Sequence, residues 1–227
     1  MVVWFVLASA GRGIAQGPRQ SQPSSSAKHG RSSLPPTVSG IGAGTFANGV
    51  YRHPALGLSS RVPTGWVLRT EEMNSREEGD SQNDAASGSL PSATPGTTEP
   101  SQGARVLLAA FSRPPEARGE DVNASIVIAA EPAATYPGLK EAAQYFGPLT
   151  EVAKAQGFTV DQEPYEMEVG TKVVVRGDFH KDVGSRVMRQ STLVFLAQGY
   201  AVSITVIGGT EDEVEELIDG VKFGAAK

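Results

Sequence analysis

Tyr165-Glu166-Met167-Glu168-Val169 and Lys172-Val173-Val174-Val175-Arg176-Gly177-Asp178-Phe179-His180, with only Gly170-Thr171 between them, decide the fold. Two runs rich in β-branched residues on either side of a short glycine turn make an antiparallel hairpin. The pattern repeats at once, in Arg186 to Leu196 and Tyr200 to Ile207, joined at Ala197-Gln198-Gly199. In the last run Tyr200, Val202, Ile204 and Val206 point one way and Ala201, Ser203, Thr205 and Ile207 the other. The last third of the chain is therefore an antiparallel meander.

Helices are expected on both sides of this meander in the sequence. Thr210-Glu211-Asp212-Glu213 carries a capping-box pattern, with an acidic first turn that suits the helix dipole. Val214, Leu217, Ile218 and Val221 supply the buried stripe, and Phe223 is expected to plug the end of the core. Upstream, Leu139, Ala142 or Ala143, Phe146, Leu149 and Val152 recur at helical spacing, which predicts a helix over Leu139–Gln156. Gly147-Pro148 should kink or split it, and Gly157 suits its end.

Two earlier runs, Ala104–Phe111 and Ala124–Ala130, are apolar nearly throughout, as strands covered on both faces require. Val50-Tyr51 and Leu58–Val62 read as two further strands joined by a turn at His53–Gly57. Pro63-Thr64-Gly65-Trp66 ends the second, with Trp66 as a core anchor.

Around these elements lie three stretches with little to bury. Residues 1–15 contain the apolar run Val2–Ala8 and a small-x-small pattern at Gly13-Ile14-Ala15, and are expected to be an N-terminally truncated signal peptide. Residues 16–45 are rich in Ser, Pro, Gly and Gln and are expected to form a disordered tether. The folded domain is expected over 46–227, with a low-complexity, disordered insertion at 71–103.

The 227 residues carry a formal charge of -5 and no cysteine. The negative balance disfavours nucleic acid, whose binders displace counterions with a basic face. Without cysteine there are no disulfides, thiol nucleophiles or thiolate metal sites.

The polar constellation that stands out is Arg176, Asp178, His180 and Asp182, alternate residues that share one face of an extended strand. Two readings are open. Asp178, His180 and Asp182 are candidate ligands for zinc or manganese, since carboxylate and imidazole suit both ions. The same alternation is what the solvent face of a half-buried strand requires, and side chains spaced ~7 Å apart along a strand do not share one ion unaided. His53 is expected to be a surface residue of its turn. No G-x-S-x-G elbow marks a nucleophile. No cofactor is expected.

The order of elements, the Pro63-Thr64-Gly65-Trp66 turn, the final strand Ser203-Ile204-Thr205-Val206 and the acidic helix before Phe223 together resemble the PsbP-like family. That family is named for an extrinsic protein of the photosynthetic oxygen-evolving complex, and its fold is shared with a Ran-binding nuclear-import factor. The resemblance spans roughly residues 46–223. It implies an α+β fold, a curved antiparallel β-sheet flanked by helices in an α/β/α sandwich, and an accessory role.

The expected function is that of an exported, periplasmic or extracellular, non-catalytic binding or assembly module. Its partner is expected to be a protein of the cell envelope, with no nucleic acid and no transmembrane span in the mature chain. The alternative is a hydrolase or metal-dependent enzyme using surface-cleft carboxylates such as Asp178 or Glu166.

Overall fold

Left-handed backbone at a few two-residue turns sets the hairpins. Gln198 and Gly199 (φ 52° and 79°) join Ala197 to Tyr200, and Asn48 and Gly49 (φ 52° and 72°) join Ala47 to Val50. Both pairs have positive φ at both central residues, the geometry that matches the twist of antiparallel strands. The computed structural model describes residues 41–75, 104–117, 119 and 121–224. The expected signal peptide at 1–15, most of the expected tether and residues 76–103 of the expected insertion lie outside the described residues.

The protein has an α+β fold built on antiparallel sheet. Among the described residues the larger sheet has eight strands: β4 (Val67–Leu68), β5 (Arg105–Phe111), β6 (Ser125–Pro132), β7 (Thr159–Val160), β8 (Tyr165–Val169), β9 (Lys172–Val183), β10 (Arg186–Ala197) and β11 (Tyr200–Gly208). They lie in the order β4-β5-β6-β11-β10-β9-β7, with β8 also paired to β9. The smaller sheet has the order β1-β2-β3-β12, from β1 (Thr45–Ala47), β2 (Val50–His53), β3 (Leu58–Arg61) and β12 (Val221–Phe223). Helix α1 is Phe146–Ala155 and helix α2 is Glu211–Asp219.

Alternate side chains of the long strands enter different cores. Val174, Leu193, Phe195, Val202, Ile204 and Val206 pack with Val214, Leu217 and Ile218 of α2 and with Tyr51, Leu58, Val221 and Phe223 of the smaller sheet. Val175, Phe179, Val194 and Ala201 pack instead with Tyr145, Phe146 and Ala153 at and within α1. β5 and β6 are buried almost end to end, as their unbroken apolar runs predicted.

The structure departs from the sequence expectations at several places. The first helix is shorter than expected: a 3-10 turn, Ala142–Tyr145, leads into α1 at Phe146. Pro148 falls in the first turn of α1, where its missing N–H has no intrahelical partner to lose. Val221 does not extend the stripe of α2. The helix stops at Gly220, and Val221–Phe223 pairs with β3 as β12. Its Phe223 ring meets Phe195 edge-on at 5.0 Å. His53 is buried rather than exposed, and Ile41, inside the stretch expected to be tether, is buried as well. His53 sits with Nε2 2.7 Å from the Gly42 carbonyl oxygen.

The expected insertion begins with order. Residues 70–75 are helical, and Met73 packs on the buried cluster of Val106, Ala109 and Val127. The Asn74 amide both donates to the Val106 carbonyl and accepts from the Val106 N–H, each at 2.9 Å. Thr70 Oγ1 accepts from the Ala109 N–H at 2.9 Å. β4 covers only the far end of β5, so these side chains satisfy an edge that would otherwise be open to pairing with another chain.

Gly177 is where β9 lets α1 approach. A Cβ there would lie 2.4 Å from Cε1 of Phe146 and 2.9 Å from its Cδ1. Replacing Gly177 by Ala forces the buried ring aside, so Gly177→Ala should lower stability by about 1–3 kcal/mol. Urea unfolding of wild type and variant measures it, and an unchanged midpoint would show that the ring moves freely.

Candidate functional site

Two-sided burial puts Arg176 in a difficult place. On β9 it occupies the face that holds Val174, and across the ladder it pairs with Leu193, so its side chain runs under α2 and is only 9% exposed. A guanidinium there is stable only if it is paired and hydrogen-bonded. Nε donates to Asp178 at 2.8 Å, and Nη2 donates to Glu215 Oε1 at 2.5 Å and to Ser191 Oγ at 3.2 Å. Burial alone pushes the Arg176 guanidinium down. The hydrogen bonds and charges of Glu215 and Asp178 outweigh it and hold the group above its ordinary value.

Asp178 collects the remaining donors. Ser191, directly opposite it in the ladder, donates to Oδ1, while Tyr165 Oη and Gln162 Nε2 approach Oδ2 at 3.3 and 3.4 Å. The Tyr165 hydroxyl is pushed up by burial and then by the Asp178 charge.

These groups line a cleft of about 310 Å³, together with Asp161, Arg189, Gln190, Glu211 and Val214. One wall is the segment between β7 and β8, pinned by the Asp161 N–H on the Asp178 carbonyl oxygen at 2.9 Å. The opposite wall is the first half of α2. Thr210 caps that helix, accepting from the Glu213 N–H at 3.2 Å, and Glu213 accepts from the Gly209 N–H at 2.8 Å. The capping pattern read from the sequence thus forms one wall of the cleft.

The candidate metal ligands do not converge. Asp178 is held by Arg176 and Ser191. His180 pairs with Asp161 through Nδ1 on the β7 side. Asp182 is exposed further along β9 and faces Val187 in the register. Among the described residues no group of three His, Asp or Glu side chains is placed to hold a metal ion. The face they share is also not a plain solvent face, because α2 covers its Arg176–Asp178 end.

The sequence reading missed a second polar cluster. Glu131, near the end of β6, is 5% exposed and accepts hydrogen bonds from Tyr136 and, at 2.7 Å, from Tyr145. The two rings pack edge to face at 5.1 Å. The available signal was a lone carboxylate at the end of an apolar strand followed by two tyrosines. Burial, and then the Glu131 hydrogen bond and charge, push the Tyr136 hydroxyl up to about 12. Tyr145 is raised too, first by burial and then by the Glu131 charge.

Two outcomes follow from this geometry. The unfolded chain ionises its tyrosines near their ordinary value of about 10, before folded Tyr136 does, and so binds fewer protons. The stabilising contribution of Tyr136 is therefore complete below about pH 10 and falls as pH rises towards about 12. Denaturant midpoints across that window should fall less steeply for Tyr136→Phe than for wild type, and equal slopes would contradict the burial of the hydroxyl. Zinc or manganese titrated calorimetrically should give no saturable heat, whereas one-to-one binding lost in His180→Asn would restore the metal reading.

No protein-family model and no curated protein matches the chain. Among solved structures it is similar to the Saccharomyces cerevisiae Ran-binding protein Mog1p, at 13% identity and a TM-score of 0.35, over 75% of this chain and 81% of that one. It is also similar to LpqN, involved in cell envelope biogenesis of Mycobacterium tuberculosis, at 13% identity and a TM-score of 0.33, over 73% and 82%. A Pseudomonas aeruginosa protein of unknown function matches at 17% identity and a TM-score of 0.32, over 44% and 68%. Mog1p and LpqN share the PsbP-like fold, the family the sequence resembles.

Proposed function

We propose that the protein is an exported, non-catalytic binding or assembly module that engages a protein of the cell envelope through the cleft beside α2. The observation that carries this reading is the commitment of Asp178. Its two oxygens already take donors from Arg176, Ser191, Tyr165 and Gln162. A general base needs a lone pair within reach of a substrate proton, and these lone pairs face donors of the protein itself. Charges fixed in advance serve recognition better, because the complex loses little further side-chain freedom when it forms.

The finer architecture belongs to the same proposal. Alternate residues of β9, β10 and β11 feed one core with α2 and another with α1, which supports the α/β/α sandwich of the PsbP-like resemblance. A single domain from about residue 46 onward fits this arrangement. Export rests on the apolar run and small-x-small pattern within residues 1–15. No helix among the described residues is long and apolar enough to cross a membrane.

The test is affinity capture from the exported fraction of the native cell, with the full chain as bait and Arg176→Met as its matched control. Wild type should retain one protein at near-equal stoichiometry, and the variant should retain much less. A partner held equally by both would place recognition outside the cleft. Turnover of an ester or peptide substrate that vanishes in Asp178→Asn would overturn the non-catalytic reading.

A further inference from the structure

Helix α2 reads Glu211-Asp212-Glu213-Val214-Glu215-Glu216-Leu217-Ile218-Asp219, nine residues without a cation of their own. The acids of the first turn favour the helix dipole. The rest of the pattern works against the helix: Glu211 with Glu215, and Asp212 with Glu216, are like charges at i,i+4. Of these, Glu211 and Glu215 line the cleft. Glu215 gives Oε1 to Arg176, and Glu211 makes no hydrogen bond or ion pair with any described residue.

The lining contains four carboxylates, Asp161, Asp178, Glu211 and Glu215, against the guanidinium groups of Arg176 and Arg189. The cleft therefore carries two net negative charges. The ladder positions of the two arginines are set apart along the floor: Arg189 pairs with His180, and Leu193 with Arg176. Four strand residues separate those rungs by about 13 Å. Tyr165, 37% exposed, adds an aromatic surface at the same cleft.

We propose that this cleft receives an arginine side chain of the protein partner, bridged between Glu211 and Glu215. The inference rests on the binding-module reading and names the chemistry that module would recognise. A planar guanidinium can donate to two carboxylates one helical turn apart and stack on an aromatic face. An ammonium group is a compact point charge and satisfies that geometry less well. A divalent ion would need oxygen ligands converging on one point, and no such group exists among the described residues. The guest would also relieve the i,i+4 repulsion that α2 otherwise bears.

The experiment uses the full chain and a fluorescent, end-capped peptide containing two adjacent arginines, followed by anisotropy. Glu211→Gln/Glu215→Gln removes two charges from the cleft wall, and Asp212→Asn/Glu216→Gln removes two from residues of the same helix that do not line it. The cleft pair should weaken binding about tenfold, equivalent to about 1.4 kcal/mol, while the control pair changes it less than about twofold. Glu211→Gln alone, at a residue with no partner among the described residues, should weaken binding in the same direction. The same peptide with citrulline in place of arginine should lose binding. Equal loss in both double variants would reduce the effect to a diffuse field and overturn the proposal. So would equal affinity for a lysine peptide, displacement by calcium with saturable calcium binding, or no saturable binding by wild type. If the peptide fails while wild type still captures a partner that Arg176→Met does not, the binding module stands and only the arginine assignment falls.

Discussion

The long strands β9, β10 and β11 are covered on both faces, and most of what is particular to this protein follows from that constraint. A strand with one wet face places charges outward at no cost. A strand covered twice must account for every polar side chain it carries. Arg176 lies on such a strand, under α2, and its burial requires carboxylates within reach. Asp178 two residues along and Glu215 on the helix supply them. Removing either would leave a buried charge with one partner fewer, the costly half of a buried ion pair. The cleft is thus a consequence of how the sheet is covered, because the groups that neutralise Arg176 are also those that line it.

The same logic explains Glu131 at the other core. There the buried group is a carboxylate, and it is satisfied by the hydroxyls of Tyr136 and Tyr145, which tie the end of β6 to the segment leading into α1. One core holds its charge with opposite charge and the other with neutral donors. The first leaves acidic capacity at the surface, in Glu211 and in the second oxygen of Glu215. The second is closed on itself, which makes it a structural feature, with Tyr136 and Tyr145 linking the two elements.

Much of the fold was legible because local and long-range signals agreed. The Gly170-Thr171 and Gln198-Gly199 turns, the alternation in Tyr200–Ile207 and the Thr210 cap each specified an element that the tertiary structure keeps. Where they disagreed, the reading failed for physical reasons. Val221 lies one helical turn past Leu217 and reads as helix, but Gly220 ends α2 and β3 offers a strand partner. β1 was missed because its three residues are exposed, although Asn48-Gly49 is a strong hairpin pair. Asp178, His180 and Asp182 share a strand face as predicted, but period alone could not show that α2 covers one end of that face while Asp161 claims His180. Partners contributed by distant elements, such as Glu215 to Arg176, leave no mark in local pattern.

Recognition is proposed to occur at the cleft between α2 and the β8–β9–β10 ladder, built around buried Arg176. Amide hydrogen exchange of the full chain, alone and with its captured partner, tests it most directly. Added protection is expected only at residues 161–165 and 209–216, the two cleft walls, with the smaller sheet unchanged. Protection centred on β1 and β2 instead, with those walls exchanging as before, would contradict it.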